Sequence, residues 1–139
     1  MDGRTVFYPI ALSLLSADGA ELPLAAELRY SAQDPLAVEA LFDDGSDELV
    51  RWVFARDLLS CGLDRRIGDG DVVVWPTIDV DGVRVVHLRL RSPHGDALLE
   101  ASADAIQAFL VATWRFVPPG TEHEHLDIDG VLDALLGEP

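Results

Sequence analysis

Apolar and polar positions alternate with a period of two through most of the first hundred residues, and this predicts strands. In the opening segment Val6, Tyr8, Ile10, Leu12 and Leu14 alternate with Phe7, Pro9, Ala11 and Ser13. Pro9 has no N–H to give to a ladder, so this strand is expected at an edge or a bulge. Asp18-Gly19 suits a turn, and residues 24–30 form a second short strand. Asp34-Pro35 then breaks the chain before Leu36, Val38, Ala40 and Phe42 line one face of a third. The polar turn Asp43-Asp44-Gly45-Ser46 leads into a strand over 49–54. Residues 55–61 read as a short helix, with Gly62 placed to terminate it. Gly68-Asp69-Gly70-Asp71 is a turn, residues 72–75 a buried strand, and Asp81-Gly82 a hairpin signal. Over 83–91, Val83, Val85, His87, Arg89 and Arg91 take one face and Arg84, Val86, Leu88 and Leu90 the other. Ser92-Pro93-His94-Gly95 turns the chain into a last strand over 97–101.

The period then becomes helical. Ser102 suits an N-cap and Asp104 favours the positive end of the helix dipole, opening a helix over 105–114. Ile106, Phe109, Leu110, Thr113 and Trp114 form one stripe, while Ala105, Ala108 and Ala112 extend the apolar surface around the helix. A helix that is apolar almost all round needs cover on more than one side, and one sheet covers only one. Either a second subunit supplies the rest, with Ala105, Ala108, Phe109 and Ala112 at the interface, or loops of the same chain do. Val117-Pro118-Pro119-Gly120 ends this helix and stiffens the next connection. Asp127 or Asp129 then caps a short final helix carrying Val131, Leu132, Leu135 and Leu136, stopped by Gly137. The fold class is α+β: about seven antiparallel strands in sheets, one short inserted helix and two C-terminal helices.

With 139 residues the chain fits one domain, 1–139, and at this length needs no disulfide or metal staple. Ten Arg, no Lys and 25 acids leave a net charge of −15. The acidity is uneven: residues 1–50 and 92–139 each carry −8, and residues 51–91 carry +1. Such a field opposes both a nucleic-acid backbone and an anionic membrane surface. The lone Cys61 has no partner for an intrachain disulfide, and the opening residues do not read as a signal peptide. No apolar run approaches the ~20 residues of a membrane span. A soluble, cytoplasmic protein without direct membrane insertion is expected.

Candidate chemistry is sparse. His123 and His125 in Glu122-His-Glu-His would share a face of an extended segment, near Asp127 and Asp129, but two ligands do not make a metal site. Asp79-Val-Asp81-Gly82 and the 43–48 acids lack the spacing of a calcium loop and serve as turns. No nucleophile elbow, phosphate loop or dinucleotide fingerprint occurs, so neither an enzyme nor a cofactor is expected. Arg89 and Arg91 share a strand face with His87, and Arg51 shares its strand with Trp52 and Phe54. Such a mixture either stacks single-stranded bases or pairs with the abundant carboxylates; the net charge favours pairing.

Several blocks together carry a family likeness. Leu28-Arg29-Tyr30, Asp34-Pro35 with Ala37-Val38, Trp52-Val53-Phe54-Ala55-Arg56-Asp57-Leu58-Leu59, Gly68-Asp69-Gly70-Asp71-Val72, Val74-Trp75-Pro76, Ala97-Leu98-Leu99-Glu100-Ala101 and Val117-Pro118-Pro119-Gly120-Thr121-Glu122-His123 resemble the SsgA-like proteins. These are small acidic regulators of sporulation and cell division in actinobacteria. The resemblance implies a non-enzymatic protein that recruits or tethers the tubulin-like FtsZ at septum sites and works beside other SsgA-like proteins. It also implies a Whirly-like fold and a homotrimer, with single-stranded nucleic-acid binding of the Whirly type as the alternative function. For partner contact the connector residues Pro118, Pro119, Gly120, Thr121, Glu122 and His123 are singled out, with Leu132 and Leu135 of the final helix. The alternative for that helix is cover for its own core.

Overall fold

Every alternating segment becomes a strand: β1 Thr5–Leu15, β2 Glu21–Ser31, β3 Asp34–Asp43, β4 Val50–Ala55, β5 Val72–Ile78, β6 Arg84–Ser92 and β7 Gly95–Ser102. Helix α1, Arg56–Gly62, lies between β4 and β5, and α2, Ala103–Trp114, follows β7. A 3-10 turn covers Glu122–His125. This computed structural model describes residues 5–43, 45 and 47–125. The expected final helix, with Leu132 and Leu135, lies outside them.

The seven strands form one antiparallel sheet in the order β4-β3-β2-β1-β7-β6-β5. Since β4 and β5 are the two outer strands, α1 carries the chain from one edge of the sheet to the other. β1 and β7 join the two halves through a ladder of four residues, Leu12–Leu15 against Leu98–Ala101. The sheet curls around an inner face of Ile10, Leu12, Leu28, Val38, Ala40, Phe42, Val86, Leu88 and Leu99. Against it α2 presses Ile106, Phe109 and Leu110, and the Phe109 ring lies 6.0 Å from that of Tyr8.

The strand prolines show why the sheet tolerates them. The expectation that β1 lies at an edge or a bulge is corrected: β1 stands inside the sheet between β2 and β7 in unbroken register, and Pro9 faces Glu27 of β2 in a stretch that β7 does not reach. Pro23 pairs with Ser13 before β3 joins β2, and Pro76 sits on the outer strand β5. Each occupies a place with one ladder neighbour, where proline's missing N–H can face away from the sheet.

Two further local readings are corrected. The break expected at Asp34-Pro35 falls earlier, at Ala32-Gln33, and β3 runs through the proline. The β2–β3 register shifts there: Ser31 faces Asp34 while Arg29 faces Glu39. The extra residues reset the phase of the strand, so Pro35 is buried and Leu36 exposed, although Leu36 has the parity of Val38, Ala40 and Phe42. Gly62 does not terminate α1 in a left-handed conformation either. It is the last helical residue, and a Cβ there would overlap Val74 Cγ1 and stand 2.8 Å from Val74 Cβ. Close approach of α1 to β5, not turn geometry, requires this glycine.

Candidate partner-binding surfaces

Arg56, at the start of α1, is 1% exposed and is among the largest fully buried side chains. Its guanidinium donates from Nη1 to the Val117 carbonyl at 2.8 Å and to Thr113 Oγ1 at 3.3 Å. Nη2 donates to Glu122 Oε2 at 2.7 Å, and the cation lies 4.8 Å from the centre of the Tyr30 ring. A buried guanidinium needs this set, because an unpaired charge in a protein interior is strongly destabilising. Glu122 also accepts from the Gly120 amide at 3.0 Å. The hydrogen bond from Arg56 holds the Glu122 carboxyl below its ordinary pKa, against the opposing effect of burial. Burial pushes the Tyr30 phenol up to about 12, with the Arg56 charge pulling the other way. The Tyr30 hydroxyl donates to the Pro35 carbonyl at 2.8 Å.

The connector is thereby tied to the core. Glu122 turns inward to Arg56 and is half-buried, so its carboxylate is engaged within the chain. Thr121 is half-buried, and its hydroxyl donates to the Pro118 carbonyl at 2.7 Å. Pro118, Pro119, Gly120 and His123 remain exposed, with Gly120 at φ +85°. His123 and His125 stand in a 3-10 turn, not on the extended segment expected. Among the described residues no three His, Cys, Asp or Glu side chains gather as a metal site requires.

Helix α2 is capped as its sequence predicts: Ser102 Oγ accepts from the Ala105 amide at 3.2 Å. Ile106, Phe109, Leu110 and Thr113 are buried, whereas Ala108 and Val111 are exposed and Ala105 and Ala112 half-buried. Phe109 is completely buried in its own chain, which corrects its placement at a subunit interface. The rest of the apolar surface of α2 is partly covered by the chain itself, since Ala105 and Trp114 pack against the core, and Ala108 and Val111 stay open to solvent.

The arginines divide between pairing and stacking. Arg51 pairs with Glu39, Arg29 with Glu27 at 2.5 Å, and Arg91 with Asp96 at 3.4 Å. Trp52 and Phe54 turn into the core, leaving Arg51 without aromatic neighbours from its own strand on the outward face. Arg66 lies 4.6 Å from the centre of the Trp75 ring, which also meets His87 edge-on. The Arg89 Nε is buried without a hydrogen-bond partner among the described residues. No helix among them is long and apolar enough to cross a membrane.

Residues 24–122 match the family model described as Streptomyces sporulation and cell division protein, SsgA. This chain belongs to the SsgA family. Its relatives include the sporulation-specific cell division protein SsgB of Streptomyces coelicolor, 50% identical over 96% of this chain and 97% of that protein. SsgB of Thermobifida fusca is 42% identical over 96% of each. Two solved structures superpose with a TM-score of 0.83. One, from work on SsgB and longitudinal cell division in S. coelicolor, is 51% identical and covers 87% of this chain and 94% of its own. The other, an SsgA-like sporulation-specific cell division protein of T. fusca, is 40% identical and covers 94% of both. The SsgA-family segment ends at Glu122, so it contains both ends of the Arg56–Glu122 pair. The two longest blocks of the family likeness, around Arg56 and around Val117–Glu122, therefore meet in space at one guanidinium. Sequence reasoning missed this. Its only trace was the Arg of an Arg-Asp pair inside the otherwise apolar run Trp52–Leu59, and nothing marked which of 25 acids would reach it.

Proposed function

We infer that this SsgA-family protein is a non-enzymatic adaptor of septation, cytoplasmic and gathered at division septa, that recruits or tethers FtsZ. The observation that carries the reading is likeness over nearly the whole chain to proteins named as sporulation-specific cell division proteins. The inferred mechanism is multivalent docking. A homotrimer of Whirly-like protomers, alone or with other SsgA-like proteins, presents one weak site several times to a filament of repeating subunits, so avidity exceeds single-site affinity. The exposed Pro118-Pro119-Gly120 corner suits such a site: two prolines restrict the backbone and Arg56 fixes the segment to the core, so little freedom remains to be lost on binding.

Co-sedimentation with assembled FtsZ tests this. Gly120→Val places a Cβ at φ +85° in open space, straining the corner without touching the core. Co-pelleting should fall while the melting temperature stays near wild type. Failure of the wild-type protein to pellet with filaments would refute the tether; unchanged pelleting of the variant would move the contact elsewhere.

Assembly is tested separately. Light scattering should give a mass well above 15.1 kDa, and Ala108→Glu on the exposed side of α2 should reduce it to the monomer without lowering the melting temperature of the fold. A monomeric wild-type protein would contradict the proposal.

A further inference from the structure

A second surface shares no residue with the connector. The turn joining β1 to β2 and the hairpin joining β5 to β6 stand on either side of an outward-facing stretch of β6 and β7. Between them lies a cavity of about 520 Å³, floored by His87, Leu98 and Glu100 and walled by Leu15, Glu21 and residues 77–81.

The β5–β6 hairpin places aliphatic side chains in water. Val80 is fully exposed, and Ile78 and Val83 are each more than half exposed. The tip that holds them is fixed. Asp79 Oδ1 accepts from the amides of Asp81 and Val83, both at 2.9 Å, the Asp79 amide donates to the Val83 carbonyl at 2.9 Å, and the Gly82 amide donates to the Asp79 carbonyl at 3.0 Å. A single exposed aliphatic is ordinary, but three on one braced tip, two of them lining the same cavity as Leu98, offer a partner apolar surface to cover. Because the tip is already ordered, binding there loses little backbone freedom.

Charge selects the occupant. Glu21, Asp79, Asp81 and Glu100 line the cavity; the one basic side chain among its described lining residues is His87, which pairs with Glu100 at 2.9 Å, and Arg89, opposite Leu98 in the ladder, is the nearest cation beyond it on β6. This lining repels phosphate backbones and anionic lipid headgroups and attracts cations; the aliphatic wall favours a partner that also carries apolar groups. We propose that the groove between the two hairpins docks a short segment of a partner protein in which Arg or Lys side chains alternate with aliphatic ones. The cations face Glu21, Asp81 and Glu100, and the aliphatic groups lie on Val80, Ile78 and Leu98. The inference rests on this surface alone and holds whichever division protein meets the connector.

The probe is a capped peptide of sequence Arg-Leu-Arg-Val-Arg-Leu, titrated into the ¹⁵N-labelled full chain. Amide shifts should saturate and cluster at Val80, Gly82, His87, Leu98 and Glu100. A peptide with Ser in place of Leu and Val should bind about tenfold more weakly, and one with Glu in place of Arg should not bind. The double variant Glu21→Gln/Asp81→Asn removes two charges and breaks no side-chain hydrogen bond seen in the fold; it should weaken binding about tenfold, as should Val80→Ser. The spectra of the variants report directly that they are folded. Three results would each overturn the proposal: no saturable shifts at millimolar peptide, shifts spread over the acidic surface, or equal binding of the Ser peptide. FtsZ pelleting is read independently, so either proposal can fail alone.

Discussion

Arg56→Leu is expected to destabilise the fold by about 3–5 kcal/mol, because it leaves Glu122 and the Val117 carbonyl without the buried donor both rely on. The melting temperature should fall by on the order of 10 °C. Glu122→Gln, which keeps an acceptor for Arg56, should cost less. Retention of the wild-type melting temperature by Arg56→Leu would contradict the role given to this residue. The pH dependence separates a charged latch from simple loss of packing. Folding lowers the Glu122 pKa from its ordinary 4.5, so the pair's contribution is fully present above that value and is lost as pH falls through the lower folded pKa. Folding raises the Tyr30 pKa from 10.0 to about 12, so that contribution is complete below pH 10 and is lost as pH rises through 12. In Arg56→Leu the acid limb should flatten, since Glu122 no longer has the donor that lowers its pKa.

Phe109→Ala should have a comparable effect, about 3–5 kcal/mol, by emptying a completely buried site against Tyr8. Its neighbour on the other side of α2 behaves oppositely: Ala108→Glu should alter assembly and leave melting alone. Thermal melts and scattering masses of the two variants, measured together, divide the helix into a core side and an outer side. A Phe109→Ala protein with wild-type melting would overturn that division.

Periodicity was enough to find the strands, because side chains that alternate between core and water leave a period-two trace. The same trace placed His87, Arg89 and Arg91 on one face of β6, and capping chemistry placed Ser102 at the start of α2. It failed where three-dimensional neighbours decided the outcome. Leu36 follows the alternation yet lies exposed, since a bulge changes the phase of the strand without any sign in local hydrophobicity. Gly62 carries the sequence signature of a helix stop, but what excludes a side chain there is Val74, a residue from a strand on the far edge of the sheet. On α2 the stripe of Ile106, Phe109, Leu110 and Thr113 is the buried side, as the helical period implies, but how far cover extends over Ala105, Ala108 and Ala112 depends on neighbours from elsewhere in the chain. The Arg56–Glu122 pair is the clearest case, because long-range ion pairing has no periodicity to read.

The narrow β1–β7 ladder bears on the order in which the molecule assembles. Strands β1 to β4 are joined successively through turns, as are β5 to β7, so each half closes only short loops as it forms. Leu12–Leu15 and Leu98–Ala101 come from opposite ends of the sheet-forming chain, and bringing them together closes the largest loop in the fold for four residue pairs in return. Two meanders assembled early and a seam closed late is the sequence of events this topology favours. The seam carries the chain directly into α2, so the helix can settle on the inner face only when both halves are in place.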